Sequence, residues 1–213
     1  MSDDEFDLAR AYRLKTPEDS RALYRDWAAD YDHAFAAAYG YVYPDLIARI
    51  FAERALRDDQ PVLDIGAGTG LVGERLAARG PVQMTGLDIS PEMLAVSMDK
   101  GCYSDVIEGD LTGQLPLKSG SYGGLISAGT FTHGHVGPDA IDELLRVARP
   151  GALFVLGINA AHFEARGFGA KFQRIADDIR DLSFLREAIY ADGSANDEAD
   201  RMALVAVFRK AGG

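Results

Sequence analysis

The sequence predicts an α/β protein with a mostly parallel sheet, and three observations carry that prediction. From residue 61 onward, short apolar runs alternate with stretches of helical periodicity. The first run, PVLDI, passes into a helical pattern through a glycine-rich turn, GAGTG. The second, VQMTGLD, ends in an acid, Asp88, 18 residues after Gly70, where a strand-end carboxylate can meet a ligand.

Each element has its own warrant. Strands are expected at PVLDI (61–65), VQMTGLD (82–88), SDVIEG (104–109), YGGLISAG (122–129) and ALFVLGI (152–158). Between the first two, Leu71, Val72, Leu76 and Ala77 form one helix face, closed by Gly80. Ser90-Pro91 is an N-cap followed by a proline at the first helical position, and Gly101 ends that helix. Pro138 and Asp139 open another, with Ile141, Leu144, Leu145 and Val147 inward until Pro150-Gly151 stops it. A helix near 168–182 and two strands, FLREAIYA and MALVAVFRK, complete the chain. The acidic, turn-forming loop DGSANDEAD joins those strands as an antiparallel hairpin.

Residues 1–57 read differently from the core at 58–213. Leu23, Trp27, Tyr31 and Phe35 recur every four positions as an aromatic stripe on one helix. Tyr41, Tyr43 and Pro44 lead into a second helix carrying Leu46, Ile47, Ile50, Phe51 and Leu56. The stripe either packs on the core or closes over a ligand, since Trp27 and Tyr31 carry polar groups that seek partners when buried.

Composition narrows the function classes. The chain has 213 residues, 47% hydrophobic and 26% charged, with a formal net charge of −11. Such a surface repels phosphate backbones and anionic lipid, so nucleic acid and membrane are not expected partners. No stretch approaches the roughly 18–20 apolar residues of a membrane span. The N-terminus, MSDDEFDLAR, lacks the basic and apolar regions of a signal peptide. Cys102 is the sole cysteine, which excludes an intramolecular disulfide and a cysteine-built metal site. A cytoplasmic location is the simplest expectation; the oligomeric state is not legible.

The glycine-rich turn holds two overlapping motifs. Gly68-Thr-Gly70-Leu-Val-Gly73 satisfies the dinucleotide pattern, but that register needs the strand to run through Gly66 and Ala67. Glycine is a poor strand former, so the strand is expected to end at Ile65. The working glycines are then Gly66, Gly68 and Gly70, and Gly73 falls inside a helix, where close packing explains it. The NAD-dependent oxidoreductase reading is disfavoured on that register. It is disfavoured again because neither Tyr190 nor Tyr103 has a lysine four residues on.

With Asp64 two residues before the first glycine, the stretch LDIGAGTG resembles the first motif of the class I S-adenosylmethionine-dependent methyltransferases. Asp88 in GLDIS, Asp110 in EGDL, Ser127-Ala128-Gly129 and LLRVARPGALFVL follow in that family's order. YRDWAADYDHAFAAAYGYVYP and GTFTHGHVGPDAIDELLRVARPG further resemble the methyltransferase-like proteins named for the Williams-Beuren syndrome region and their bacterial relatives. The resemblance covers most of residues 20–158.

It implies a Rossmann-like, doubly wound, seven-stranded sheet with the last strand inserted antiparallel, and an N-terminal helical lid. It implies S-adenosylmethionine as cofactor, with Asp64, Gly66, Ala67, Gly68 and Gly70 around its amino-acid end and Asp88 on the ribose. Asp110 would reach the adenine, Ile89 and Leu111 would flank it, and Met93 would add to that wall. Ser127 and Gly129 would line the methionine portion, with Trp27 and Tyr31 covering from the lid.

The acceptor is expected to be a small molecule. His133, in the Thr130-Phe131-Thr132-His133-Gly134-His135 segment, and Tyr31 are the candidate catalytic groups, His133 as base or orienting group. His133 and a purely structural histidine stand level there, and His135 reads as structural. No third ligand accompanies the His-x-His pair, so no metal is expected. His33 reads as exposed and His162 as a weak acceptor-site candidate. Tyr24, Tyr41 and Tyr43 line the acceptor site or simply pack, and Cys102 is expected away from the site. The competing reading is a non-catalytic cofactor-binding or protein-interaction member of the same fold.

Overall fold

The computed structural model describes Thr16, Glu18, Leu23 and residues 40–132, 136–191 and 201–212. Within them the chain runs α1 (Tyr43–Arg54), β1 (Val62–Ile65), α2 (Leu71–Ala77), β2 (Met84–Asp88), α3 (Pro91–Asp99), β3 (Asp105–Glu108) and β4 (Tyr122–Phe131). It continues through α4 (Ala140–Val147), β5 (Ala148–Asn159), α5 (Ala160–Arg166), α6 (Phe168–Arg174), β6 (Ile179–Ala188) and β7 (Met202–Lys210). One seven-stranded sheet has the order β3-β2-β1-β4-β5-β7-β6. β1 pairs in parallel with β2 and β4, as β2 does with β3 and β4 with β5. β7 runs antiparallel between β5 and β6, as the sequence resemblance implied.

The apolar runs are continuous because both sheet faces are covered. Successive strand residues feed opposite cores, as the two-residue period requires. Leu63, Leu125, Phe154 and Leu156 join a cluster with α4 and α6 through Ile141, Leu144, Phe168 and Phe172. Val62, Ile126, Leu153 and Val155 join the other, with Ile47 and Phe51 of α1 and Val72 and Leu76 of α2. The strand order reverses between β1 and β4, and such a reversal opens a crevice at the strands' carboxyl ends.

Most helix boundaries follow local rules. Ser90 caps α3, its hydroxyl accepting from Met93 N–H, with Pro91 in the first turn. Several boundaries differ from the sequence expectation: α1 ends at Arg54, leaving Leu56 beyond it and exposed, β6 spans Ile179–Ala188 rather than 184–191, and two later helices stop early. α4 stops at Val147, and Arg149, Pro150 and Gly151 already belong to β5. Proline bars helical geometry at the residue before it, so the helix has to end before Arg149. The expected helix over 168–182 ends at Arg174, and β6 starts at Ile179. Phe168, Phe172, Ile175 and Ile179 keep a helical spacing across that break, which hides it. The residues are all buried, but Ile179 packs as the first residue of a strand.

α1 lies within the segment expected to be a lid, yet it packs on the sheet, with Ile47 and Phe51 almost fully buried. A Cβ at Gly124 of β4 would lie 2.6 Å from the Phe51 ring. The lid expectation therefore concerns the chain before α1. Arg209 of β7 ties this region down, pairing both guanidinium ends with Asp59 at 2.8 and 2.9 Å.

Gly73 sits inside α2, where glycine is costly by about 1 kcal/mol relative to alanine. Its reason is Tyr103, which reaches in from the connection between α3 and β3. A Cβ at Gly73 would lie 2.4 Å from the Tyr103 ring and hydroxyl. Gly73→Ala therefore sets helix propensity, worth about 1 kcal/mol, against overpacking, worth about 1–3 kcal/mol. We expect a lower urea midpoint for the variant. A higher midpoint would mean that the ring does not fill the space against α2.

Candidate active site

The turn from β1 into α2 is pinned from both neighbouring strands. The Ile65 carbonyl, last in β1, accepts from Ser127 Oγ and Thr130 Oγ1, both at 2.8 Å. On the other side, the N–H groups of Gly66 and Ala67 both donate to the Leu87 carbonyl of β2, at 2.8 and 2.9 Å. Gly66, Gly68 and Gly70 take φ of 66°, 53° and 88°, left-handed conformations that explain the residue type. Thr130 Oγ1 occupies the place of a Gly66 side chain, only 2.0 Å from an ideal Cβ. At Gly68, by contrast, nothing among the described residues lies within 4 Å of a Cβ. The backbone is bare at that point. β1 ends at Ile65 and Gly70 caps α2, so the turn uses Gly66, Gly68 and Gly70.

Two carboxylates lie under this turn. Asp88, at the end of β2, accepts from Gly68 N–H at 2.8 Å through Oδ2 and from Ser90 N–H at 2.9 Å through Oδ1. Each oxygen keeps a lone pair after that. Burial still raises its pKa, against the pull of those backbone donors.

Asp64, in β1, is fully buried. Its Oδ2 accepts from the Tyr103 hydroxyl at 2.6 Å, while Oδ1 has no hydrogen-bond partner among the described residues. Burial, first, pushes its carboxyl from 3.8 up to about 7. The Tyr103 hydroxyl opposes that rise, the Asp88 charge adds to it, and the Gly73 N–H opposes it weakly.

The remaining expected cofactor residues surround this pair in different ways. Asp110 accepts from both the N–H and hydroxyl of Thr112 through Oδ1 alone, closing its own turn. Leu111 is buried in the core, and Ile89 is half-buried beside Asp88. Met93 is buried in the first turn of α3, and Ala67 is buried against the bare backbone of Gly86. Ser127 spends its hydroxyl on Ile65. Gly129 has φ of 86°, and its missing Cβ would lie 2.9 Å from the Tyr41 hydroxyl. Tyr43 is packed away from solvent, its hydroxyl against Gly157 and without a partner among the described residues.

Trp27, Tyr31 and His133 lie outside the described residues, as do Tyr24, His33 and His135. His162 is buried, its ring Nε2 at 3.0 Å from the Val136 carbonyl and its face tilted against Phe168. That fits a group bracing the chain after His135 better than one meeting an acceptor. Cys102, expected away from the site, is half-buried close enough to Asp64 to feel its charge, which with burial raises the thiol pKa.

Two residues of the site escaped the sequence reading. Thr130 carries no pattern of its own. Tyr103 was signalled only indirectly, by a glycine in a helix that needed a large neighbour.

Strand order, left-handed turn and paired carboxylates together agree with the methyltransferase architecture that the sequence resemblance implies. Comparison with known proteins agrees. A family model described as a methyltransferase domain matches residues 63–156. Human methyltransferase-like protein 27 is 35% identical over 138 residues, 63% of this chain and 55% of that protein. The bovine 18S rRNA (guanine-N(7))-methyltransferase is 44% identical over 72 residues, 33% of this chain and 25% of that protein. A TehB-like SAM-dependent methyltransferase structure from Corynebacterium glutamicum superposes with a TM-score of 0.63 at 23% identity, covering 89% of this chain and 98% of that one. That last likeness is one of fold.

Residues 63–156 thus match a methyltransferase domain, and the S-adenosylmethionine-dependent fold neighbours imply S-adenosylmethionine as its cofactor. The chain spans about half the length of the human relative and a quarter of the bovine one. The matches establish the class and not the narrower Williams-Beuren likeness. Among the described residues, no helix is long and apolar enough to cross a membrane.

The residues present fit that cofactor. A buried carboxylate oxygen without a partner suits its ammonium group, spare lone pairs on Asp88 suit a diol, and bare backbone at Gly68 admits close approach.

The raised Asp64 carboxyl has a consequence for stability. Folded protein holds a proton that the unfolded chain releases above pH 3.8. Stability from this group is complete below that value and is lost as pH rises through about 7. Asp88 acts in the same direction. Urea unfolding at about pH 5 and about pH 8 should therefore differ less for Asp64→Asn than for the parent. An unchanged difference would contradict the buried, proton-holding carboxyl.

Proposed function

We propose that this protein transfers a methyl group from S-adenosylmethionine to a small-molecule acceptor. The observation that carries the reading is the Asp64–Asp88 pair beneath a left-handed glycine turn, at the reversal point of the strand order. Paired negative charge in a buried cleft favours a ligand with a cationic end. When bound, the cofactor supplies a methyl group on a positively charged sulfur, open to in-line attack.

The chain's own residues then have separable tasks. Asp88 accepts from ribose hydroxyls while the Gly68 and Ser90 N–H groups hold it still. Asp64 faces the ammonium group. Asp110 keeps Oδ2 for the adenine amino group, with Ile89, Met93 and Leu111 as the apolar wall. Ser127 and Gly129 line the methionine portion beside the turn. The chain before α1 supplies the lid, from which Trp27 and Tyr31 exclude water and orient the acceptor. To His133, two residues beyond the end of β4, we assign the task of taking a proton from an acceptor hydroxyl. An acceptor that is already an anion needs no base.

A small acceptor is favoured over RNA, although four relatives are named for rRNA, because a net charge of −11 opposes a polyanion. Those rRNA relatives match over 66, 66, 72 and 82 residues only. Labelled S-adenosylmethionine offered with fractionated cell extract tests this choice. Label is expected in the small-molecule fraction, and label confined to RNA would overturn it.

Two variants test the residue roles. Asp88→Ala should weaken S-adenosylhomocysteine binding by more than tenfold, about 1.4 kcal/mol for a lost charged hydrogen bond. Unchanged affinity in calorimetry would remove Asp88 from the ribose. His133→Ala should abolish turnover while leaving that affinity intact, and a fully active variant would return His133 to a structural role.

A further inference from the structure

Tyr103 is an expensive side chain to place where it is. Three glycines from three elements give up a side chain around its ring. A Cβ would approach that ring at 2.4 Å from Gly73 of α2, 3.1 Å from Gly70 of the turn and 3.6 Å from Gly86 of β2. Phenylalanine would fill the same space. The hydroxyl is the part that packing does not explain, and its partner is Asp64 Oδ2 at 2.6 Å.

A purely structural Asp–Tyr pair would be expected to satisfy both carboxylate oxygens, because a buried acceptor left unpaired is costly. Here one oxygen is satisfied and the other is buried and empty. The single strong donor also fixes which oxygen is which. A carboxylate anchored at Oδ2 cannot rotate Oδ1 away without breaking that bond.

Resting on the cofactor reading above, we infer that Tyr103 is a positioning residue for cofactor selectivity. Its hydroxyl anchors Asp64 through Oδ2 and keeps Oδ1 as the free acceptor for the ligand's ammonium group. It thereby makes the protein prefer adenosine ligands that carry the amino-acid end over those that lack it. Tyr103 touches the carboxylate and not the reacting atoms, so it takes no part in the transfer itself.

The charge balance around Asp64 makes the effect depend on pH. The Asp88 carboxylate faces it from β2, and the Cys102 thiol and the Tyr103 hydroxyl face it from the α3–β3 connection. The Gly73 N–H faces it from α2, and Lys100, whose charge reaches the Cys102 thiol, pairs with Glu74 at 3.8 Å. Burial and Asp88 oppose ionisation, and the Tyr103 hydroxyl is the main group favouring it. Tyr103 keeps its own proton, since burial and the Asp64 charge raise its pKa well above the usual phenol value. Uptake of a cationic amine therefore draws a proton off Asp64, and loss of the tyrosine hydroxyl makes that harder.

The test is calorimetric titration of the full chain and of Tyr103→Phe with two probes, S-adenosylhomocysteine and 5′-methylthioadenosine. Both carry adenine and ribose, and only the first carries the amino-acid end. The phenylalanine ring keeps the packing, which a thermal melt of the variant checks. In the variant, S-adenosylhomocysteine affinity is expected to fall roughly tenfold, as for a lost hydrogen bond to a charged group. The 5′-methylthioadenosine affinity should change less than about twofold.

The parent's S-adenosylhomocysteine affinity should rise with pH through about 7, and this rise should move to higher pH in the variant. In an Asp64→Asn background, Tyr103→Phe should cost no further affinity. Equal losses for the two probes, or no loss for either, would overturn the inference while leaving the cofactor reading intact. A parent protein that binds neither probe would overturn the cofactor reading, and this inference with it.

Discussion

The constraint from which this molecule's centre follows is the burial of two like charges, Asp64 and Asp88, under one five-residue turn. Among the described residues, neither forms an ion pair with a cationic side chain. Asp88 is held by two backbone N–H groups, one from Gly68 in the left-handed glycine turn and one from Ser90 just beyond β2. Asp64 is held by one tyrosine, and the tyrosine fits only because Gly70 and Gly73 have no side chains. The conformation of the turn, the composition of α2 and the path of the α3–β3 connection thus answer one electrostatic problem. What the pair leaves over is a buried oxygen and a field that favours a positive ligand.

The same arrangement explains why the sequence carries two superimposed glycine motifs. Gly66, Gly68 and Gly70 shape the turn; Gly73, which completes the dinucleotide pattern, makes room for Tyr103. The N-cap of α3 and the end of β1 were legible because each rests on a local rule with a strong residue preference, whereas the seven-stranded sheet with its antiparallel last strand was implied by the family resemblance. The break between α6 and β6 was not, because Ile175 and Ile179 preserve a helical spacing while the chain changes conformation. The early end of α4 followed a rule that acts one residue before the proline, so the stop was read too late in the chain.

The site was legible in proportion to how local its residues are. Asp64, Asp88 and the turn glycines lie within 25 residues at two strand ends, and the structure brings them together. Tyr103 and Cys102 approach from a connection with no motif, and only the neighbouring glycine hinted at them. Near the end of β4, the described residues bring together Thr130, Gly129 and the Tyr41 hydroxyl. His133, Tyr31 and Trp27 remain proposals drawn from the sequence. The acidity of the whole chain, and no single residue, is what favours a small acceptor.

The most direct test of the central claim is parallel calorimetry of the parent protein with S-adenosylmethionine, S-adenosylhomocysteine and NAD. Micromolar binding of the two sulfur ligands and none of NAD is the result this account predicts. Binding of NAD alone would contradict it, since Gly68, Gly70 and Gly73 would then be the working glycines and the buried carboxylate pair would have another purpose.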